Sequence, residues 1–201
     1  MIKNIYSILL LSQLFAFSGF TQGTPSVKIT PIAVGDQLPK AFWDFKHLLL
    51  EQAVPREYTL TADKGKLLII DFWASWCGSC IKRFPELESI EKAFPGKVKV
   101  LLVNSVGTGD SAESLIARFK SGSGTFTATK LAVIAADSVF LKAFPHKALP
   151  HYVWIAHGSV RAVTTAELLT VENIGLLLKH MDVIGDRRKK IEAIRTKAKK
   201  D

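Results

Sequence analysis

The sequence predicts an α/β fold: a central mixed sheet flanked by helices, with an N-terminal extension and a C-terminal antiparallel hairpin plus helix. Three observations predict it. Residues 67–73, Leu-Leu-Ile-Ile-Asp-Phe-Trp, are apolar apart from one aspartate and read as a buried central strand. Further short apolar runs alternate with stretches whose apolar residues recur every three or four positions, the pattern of strands joined by helices. Two late runs, 152–156 and 160–164, flank His157-Gly158 and read as a hairpin.

Taken in order, residues 23–40 are rich in Thr, Pro and Gly and predict a linker followed by an edge strand or loop around 27–32. Phe42, Trp43 and Phe45 are expected to pack, and 51–66 mixes charge with turn formers. After the central strand, 77–94 predicts a helix with Ile81, Phe84, Leu87, Ile90 and Phe94 on one face. Pro85 should kink it, and Pro95-Gly96 should end it. A second strand is expected at 98–103 and a short helix at 111–119. Residues 121–124, Ser-Gly-Ser-Gly, suggest a flexible joint. A third strand follows at 131–135, then a helical turn or two at 138–144. Beyond the hairpin, 171–181 predicts a closing helix with Thr170 as its N-cap. The divisions expected are a signal peptide at 1–22, an extension at 23–66, a core at 67–183 and a basic tail at 184–201.

The chain has 201 residues, 48% of them hydrophobic, enough for one full core and unlike a disordered protein. Its net charge of +9 is unevenly placed. Residues 186–201 hold eight basic and three acidic groups, a net +5, leaving +4 for the other 185 residues. That distribution argues against a nucleic-acid-binding body. The tail reads as a solvated or helical end that can meet anionic surfaces.

The first residues resemble an export signal. Lys3 supplies the positive charge, 5–17 is apolar, and Ser18, Gly19, Thr21 and Gly23 supply small residues near a cleavage point. The apolar stretch falls short of the roughly 20 residues that span a bilayer. The expectation is a periplasmic or otherwise exported protein, freed by cleavage; the alternative is an anchor formed by the uncleaved signal.

The chemistry is concentrated in Asp71-Phe72-Trp73-Ala74-Ser75-Trp76-Cys77-Gly78-Ser79-Cys80, which holds both cysteines of the chain. A disulfide across two intervening residues closes too small a loop to be a useful staple. It suits reversible opening instead. At a strand-to-helix junction the Cys77 sulfur lies near unpaired backbone N–H groups, which favour thiolate. Cys77 is then the attacking thiol and Cys80, one turn on, the resolving thiol. Trp76 and Trp73 shield one side. Asp71, a carboxylate in an apolar strand, should have a raised pKa and could take the Cys80 proton.

At these residues the chain resembles thioredoxins. The strand, the aspartate, the tryptophan before Cys77, the CxxC pair and a proline eight residues after Cys77 occur in matching order over about residues 34–182. The signal and the N-terminal extension resemble the exported branch, the TlpA/ResA-like thiol-disulfide oxidoreductases. The resemblance implies a thioredoxin-like fold and a reductase of protein disulfides with no cofactor and no resident metal. Its partners would be protein disulfides and a membrane electron donor or redox partner, not nucleic acid. It further implies a cis proline at Pro150, facing the disulfide; Trp76, Leu149, Pro150 and His151 are the candidate substrate contacts. Leu149 would offer its backbone to an extended peptide.

Three features depart from the pattern. Ser79 replaces the usual proline between the cysteines. Exported members often lack an aspartate at the Asp71 position. His151, with His146 nearby, could stabilise the thiolate when protonated or simply form the rim. Competing readings are a disulfide oxidase or isomerase, a Cys/His copper carrier using Cys77, Cys80 and His151, a peroxidase and a redox-inert scaffold. The peroxidase reading is disfavoured because Ala74 stands where peroxiredoxins carry a threonine.

Overall fold

The computed structural model describes residues 28–122 and 129–198. The expected export signal, Val27 and part of the 121–124 joint lie outside the described residues.

Residues 28–33 form no strand; Ile29 and Ile32 pack on the core instead, and the Ile32 N–H donates to the Ala143 carbonyl at 2.8 Å. The first strands are β1 (His47–Glu51) and β2 (Val54–Tyr58), an antiparallel hairpin inside the expected extension. Its two-residue turn, Gln52-Ala53, has φ of 49° and 67°. Turns of this kind favour Asn-Gly, so the usual signal is missing. Pro55 is tolerated because β2 is an edge strand. Inside the sheet, buried His47 holds Asp137 at 2.6 Å, and Asp137 also accepts the Phe140 N–H at 2.7 Å.

Strand β3 spans Leu67–Trp73 and every residue in it is buried. Helix α1 (Gly78–Ile81) follows, then a break, then α2 (Phe84–Ala93). One kinked helix was expected, but the chain forms two. Pro85 lacks the N–H that would bond to the Ile81 carbonyl, so it fits only the first turn of a new helix.

Strand β4 (Val98–Ser105), α3 (Ala112–Ser121), β5 (Ala132–Asp137) and α4 (Val139–Ala143) come next. Ser111 caps α3, and its side chain accepts the Ser114 N–H. The second hairpin is β6 (His151–Ala156) and β7 (Ser159–Thr164). Gly158 turns it with φ +77°, and a Cβ there would meet Gln37 at 3.2 Å. Helix α5 (Val171–Ala198) closes the chain. The Thr170 hydroxyl accepts the Asn173 N–H at 3.1 Å, as an N-cap does. The helix runs through the expected tail, and no described residue beyond Met181 is buried.

The seven strands lie in the order β2-β1-β5-β4-β3-β6-β7. Strands β3, β4 and β5 are parallel, while β6 joins β3 antiparallel. Side chains alternate across β3. Leu67, Ile69 and Trp73 face α1, α2 and α5, packing with Cys80, Ile81, Phe84, Leu87, Ile174 and Leu178. Leu68, Ile70 and Phe72 face the other side, with Phe42, Leu49, Phe140 and Phe144. The alternation sets Asp71 on the face that carries the cysteines.

Candidate functional site

The site is built where β3 ends. Ala74 is buried, and its carbonyl accepts the Cys77 N–H at 3.0 Å, turning the chain into α1. Cys77 and Cys80 are joined as a disulfide. Cys77 is 5% exposed and Cys80 is fully buried, so a partner can reach only Cys77. The Cys80 N–H donates to the Cys77 sulfur at 3.3 Å, and the Ser79 hydroxyl lies 3.5 Å from it. Hydrogen bonds to this sulfur stabilise a thiolate once the disulfide opens.

A polar network below the loop fixes the entrance. Asp110 accepts the Ser75 N–H at 2.8 Å, the Ser75 hydroxyl, and the Asn104 amide at 2.7 Å. Thr108 bonds to Asn104, and its carbonyl accepts the Trp76 indole N–H at 2.7 Å. Trp76 therefore stands 66% exposed yet tethered at the mouth.

The Leu149–Pro150 peptide is cis, as the resemblance implied. Strand β6 pairs His151 with Phe72, so Pro150 lies beside Trp73, at the end of β3 where the chain turns toward Cys77. Leu149 is half-buried and makes no backbone hydrogen bond among the described residues. His151 lies elsewhere than the thiolate-stabilising idea requires. Its ring stacks on His146 at 5.0 Å and packs near Phe72, a residue of the face opposite Asp71. Burial, then the charge of His146, pushes its pKa down, so it is neutral at physiological pH. Among the described residues no three His, Cys, Asp or Glu side chains group as a metal site.

Asp71 is fully buried, and neither carboxylate oxygen has a hydrogen-bond partner. Desolvation drives its pKa well above the usual carboxylate range, and the charge of Arg83 works against that rise. Tyr152 lies directly across from it on β6. Sequence reasoning missed Tyr152, Arg83, Asn104, Thr108 and Asp110. Arg83 left a trace, being a cation one position before Phe84 on an otherwise apolar helical stripe. The loop residues left none, because their pairing depends on how β4 ends.

The thioredoxin family model matches residues 51–118, from the end of β1 through the cysteines and into α3. Within those residues the chain is similar to thioredoxins, and its fold is thioredoxin-like. A thioredoxin-like protein, YneN of Bacillus subtilis, is 31% identical over 105 residues, covering 52% of this chain and 58% of that protein. The chain thus spans little more than half the length of that relative. The pneumococcal exposed lipoprotein thioredoxin Etrx1 of Streptococcus pneumoniae superposes with a TM-score of 0.54 at 24% identity, over 68% of this chain and 99% of that one. A 2-Cys peroxiredoxin of Plasmodium vivax superposes equally well, with a TM-score of 0.54 at 20% identity over 78% of this chain and 98% of that one. The thioredoxin-like fold alone therefore does not separate a disulfide reductase from a peroxidase; the residues of the site must.

Proposed function

We propose that this protein is an exported thiol-disulfide oxidoreductase of the TlpA/ResA-like kind, acting as a reductase of protein disulfides. The observation that carries the reading is the asymmetry of the pair: an accessible Cys77 and a buried Cys80 on one helical turn, with an unpartnered carboxylate on the same face. The Cys77 thiolate attacks a partner disulfide, forms a mixed disulfide and expels one partner thiolate. Cys80 gives its proton to Asp71 and attacks the Cys77 sulfur. The Cys77–Cys80 bond forms, the mixed disulfide breaks, and the second partner sulfur leaves and takes a proton from solvent. Two electrons pass from the dithiol to the partner. The second step is intramolecular, which raises the effective concentration of the attacking thiol.

Leu149, Pro150 and Trp76 frame the approach. A substrate strand can pair with the free backbone of Leu149 in the manner of an added strand. The ring of His151 contributes a neutral rim. Export rests on the pattern around Lys3 and residues 5–17. An exported reductase needs electrons from a membrane partner, and the basic end of α5 offers a surface for anionic partners.

The test is a redox titration of the Cys77–Cys80 pair against glutathione, run beside a Cys80→Ser variant offered a disulfide substrate. A potential near about −270 mV supports a reductase, and one near about −120 mV makes the protein an oxidant. Cys80→Ser should accumulate a covalent mixed disulfide through Cys77. Absence of that adduct would remove the exchange mechanism altogether.

A further inference from the structure

Asp71 has no hydrogen bond and no water-facing surface, yet a proton acceptor must be able to ionise. Several elements pack around it. Strand β6 sets Tyr152 opposite, and α1 supplies Cys80. The turn between α1 and α2 supplies Arg83, and α2 supplies Glu86 one step further out. Strand β4 pairs Leu102 with Asp71, and α5 brings Ile174, Leu178 and Met181 to this face. Among the described residues, Arg83 is the cation whose charge bears on Asp71. Tyr152 stays neutral, since burial holds its hydroxyl protonated.

Arg83 is held in a defined place. Its backbone N–H donates to the Cys80 carbonyl at 3.0 Å, so it moves with the resolving cysteine. One guanidinium nitrogen donates to the Ala166 carbonyl at 2.8 Å and pairs with Glu86 at 2.9 Å. Its Nε is buried without a partner, as are both Asp71 oxygens, while the Tyr152 hydroxyl opposite Asp71 lies within hydrogen-bonding reach of the guanidinium. A hydrogen-bonded outer edge and an unsatisfied inner edge suit a group that awaits a charge inside. Glu86 and Glu167 meet Arg83 from its outer side; on the buried side, ionised Asp71 supplies that charge.

We propose that Arg83 is a positioning residue of the reaction, the counter-charge that lets buried Asp71 ionise and so receive the Cys80 proton. This rests on the reading of Asp71 as proton acceptor. Loss of Arg83 leaves Asp71 protonated over more of the pH range and stalls the resolving step on the acid side. Glu86 partly neutralises Arg83, so its removal acts in the opposite direction.

The experiment mixes the reduced protein with a disulfide peptide and follows the resolving step by tryptophan fluorescence between pH 5 and 9. The variants are Arg83→Met, Arg83→Lys, Glu86→Gln and Asp71→Asn, each checked for a native thermal transition. In the wild type the rate should fall below an acid-side inflection. Arg83→Met should move that inflection up by about one pH unit, roughly tenfold slower below it. Arg83→Lys should restore most of the shift. Glu86→Gln should move the inflection down, by less because that carboxylate is partly exposed. Asp71→Asn should abolish the inflection. If Asp71→Asn abolishes it and Arg83→Met leaves it in place, the role of Arg83 is overturned while that of Asp71 stands. If Asp71→Asn keeps the wild-type profile, the reading of Asp71 fails and this inference fails with it.

Discussion

Asp71 sits at full burial with neither oxygen hydrogen-bonded, so the fold tolerates it at a cost. The sign of that cost with pH follows from the raised pKa. Below the ordinary carboxylate pKa of about 3.9, folded and unfolded chains both carry the proton and nothing is lost. As pH rises toward the folded pKa, the unfolded chain ionises first, and stability falls through that window. Asp71→Asn keeps the shape and removes the titration. It should stabilise the oxidised protein by about 1–3 kcal/mol at pH 7.5 and by little at pH 4, read from urea midpoints at the two values. An advantage of equal size at both pH values would show that the carboxylate is not titrating in isolation. The same residue that weakens the fold is the one the resolving step uses, a trade-off common at active sites.

At the level of elements, legibility followed local chemistry. Strand β3 was readable to the residue because a continuous apolar run can only be a buried strand or helix, and its length and flanks chose the strand. The β6–β7 hairpin was readable because Gly158 marks its turn; the β1–β2 hairpin was not, because Gln52 and Ala53 adopt positive φ without a glycine. Cys77, Cys80, Asp71 and Pro150 stood out through spacing and residue type. The groups that aim them did not, since Asp110 meets Ser75 across 35 positions of sequence. That contact makes a separate prediction. Asp110→Ala strands the Ser75 N–H and leaves the Asn104 amide only its longer bond to the Trp73 carbonyl, so it should lower stability by about 1–3 kcal/mol. It should also free the Trp76 loop, measurable as a fall in tryptophan fluorescence anisotropy and slower attack on a protein disulfide. Unchanged anisotropy would mean that the Thr108 carbonyl alone holds Trp76.

Across the whole molecule, the sheet divides the core into two faces, and the redox site belongs to the one closed by α2 and α5. Helix α5 is stapled to that face through Ile174, Leu178 and Met181, and past Met181 it projects with Ile191 and Ile194 exposed. The projecting half buries no apolar side chain among the described residues, so it contributes little to the hydrophobic term of folding. Deleting residues 186–201 should therefore leave the urea midpoint almost unchanged, within about 0.5 kcal/mol. Leu178→Ala, only eight positions before the cut, should cost about 2–5 kcal/mol. The deletion also takes the net charge from +9 to +4. Binding to anionic vesicles should weaken accordingly, and the difference between full-length and truncated protein should fade as salt screens the basic end. A large loss of stability on truncation would instead mean that the projecting helix packs on something in solution, with exposed Ile191 and Ile194 as the contact to probe first.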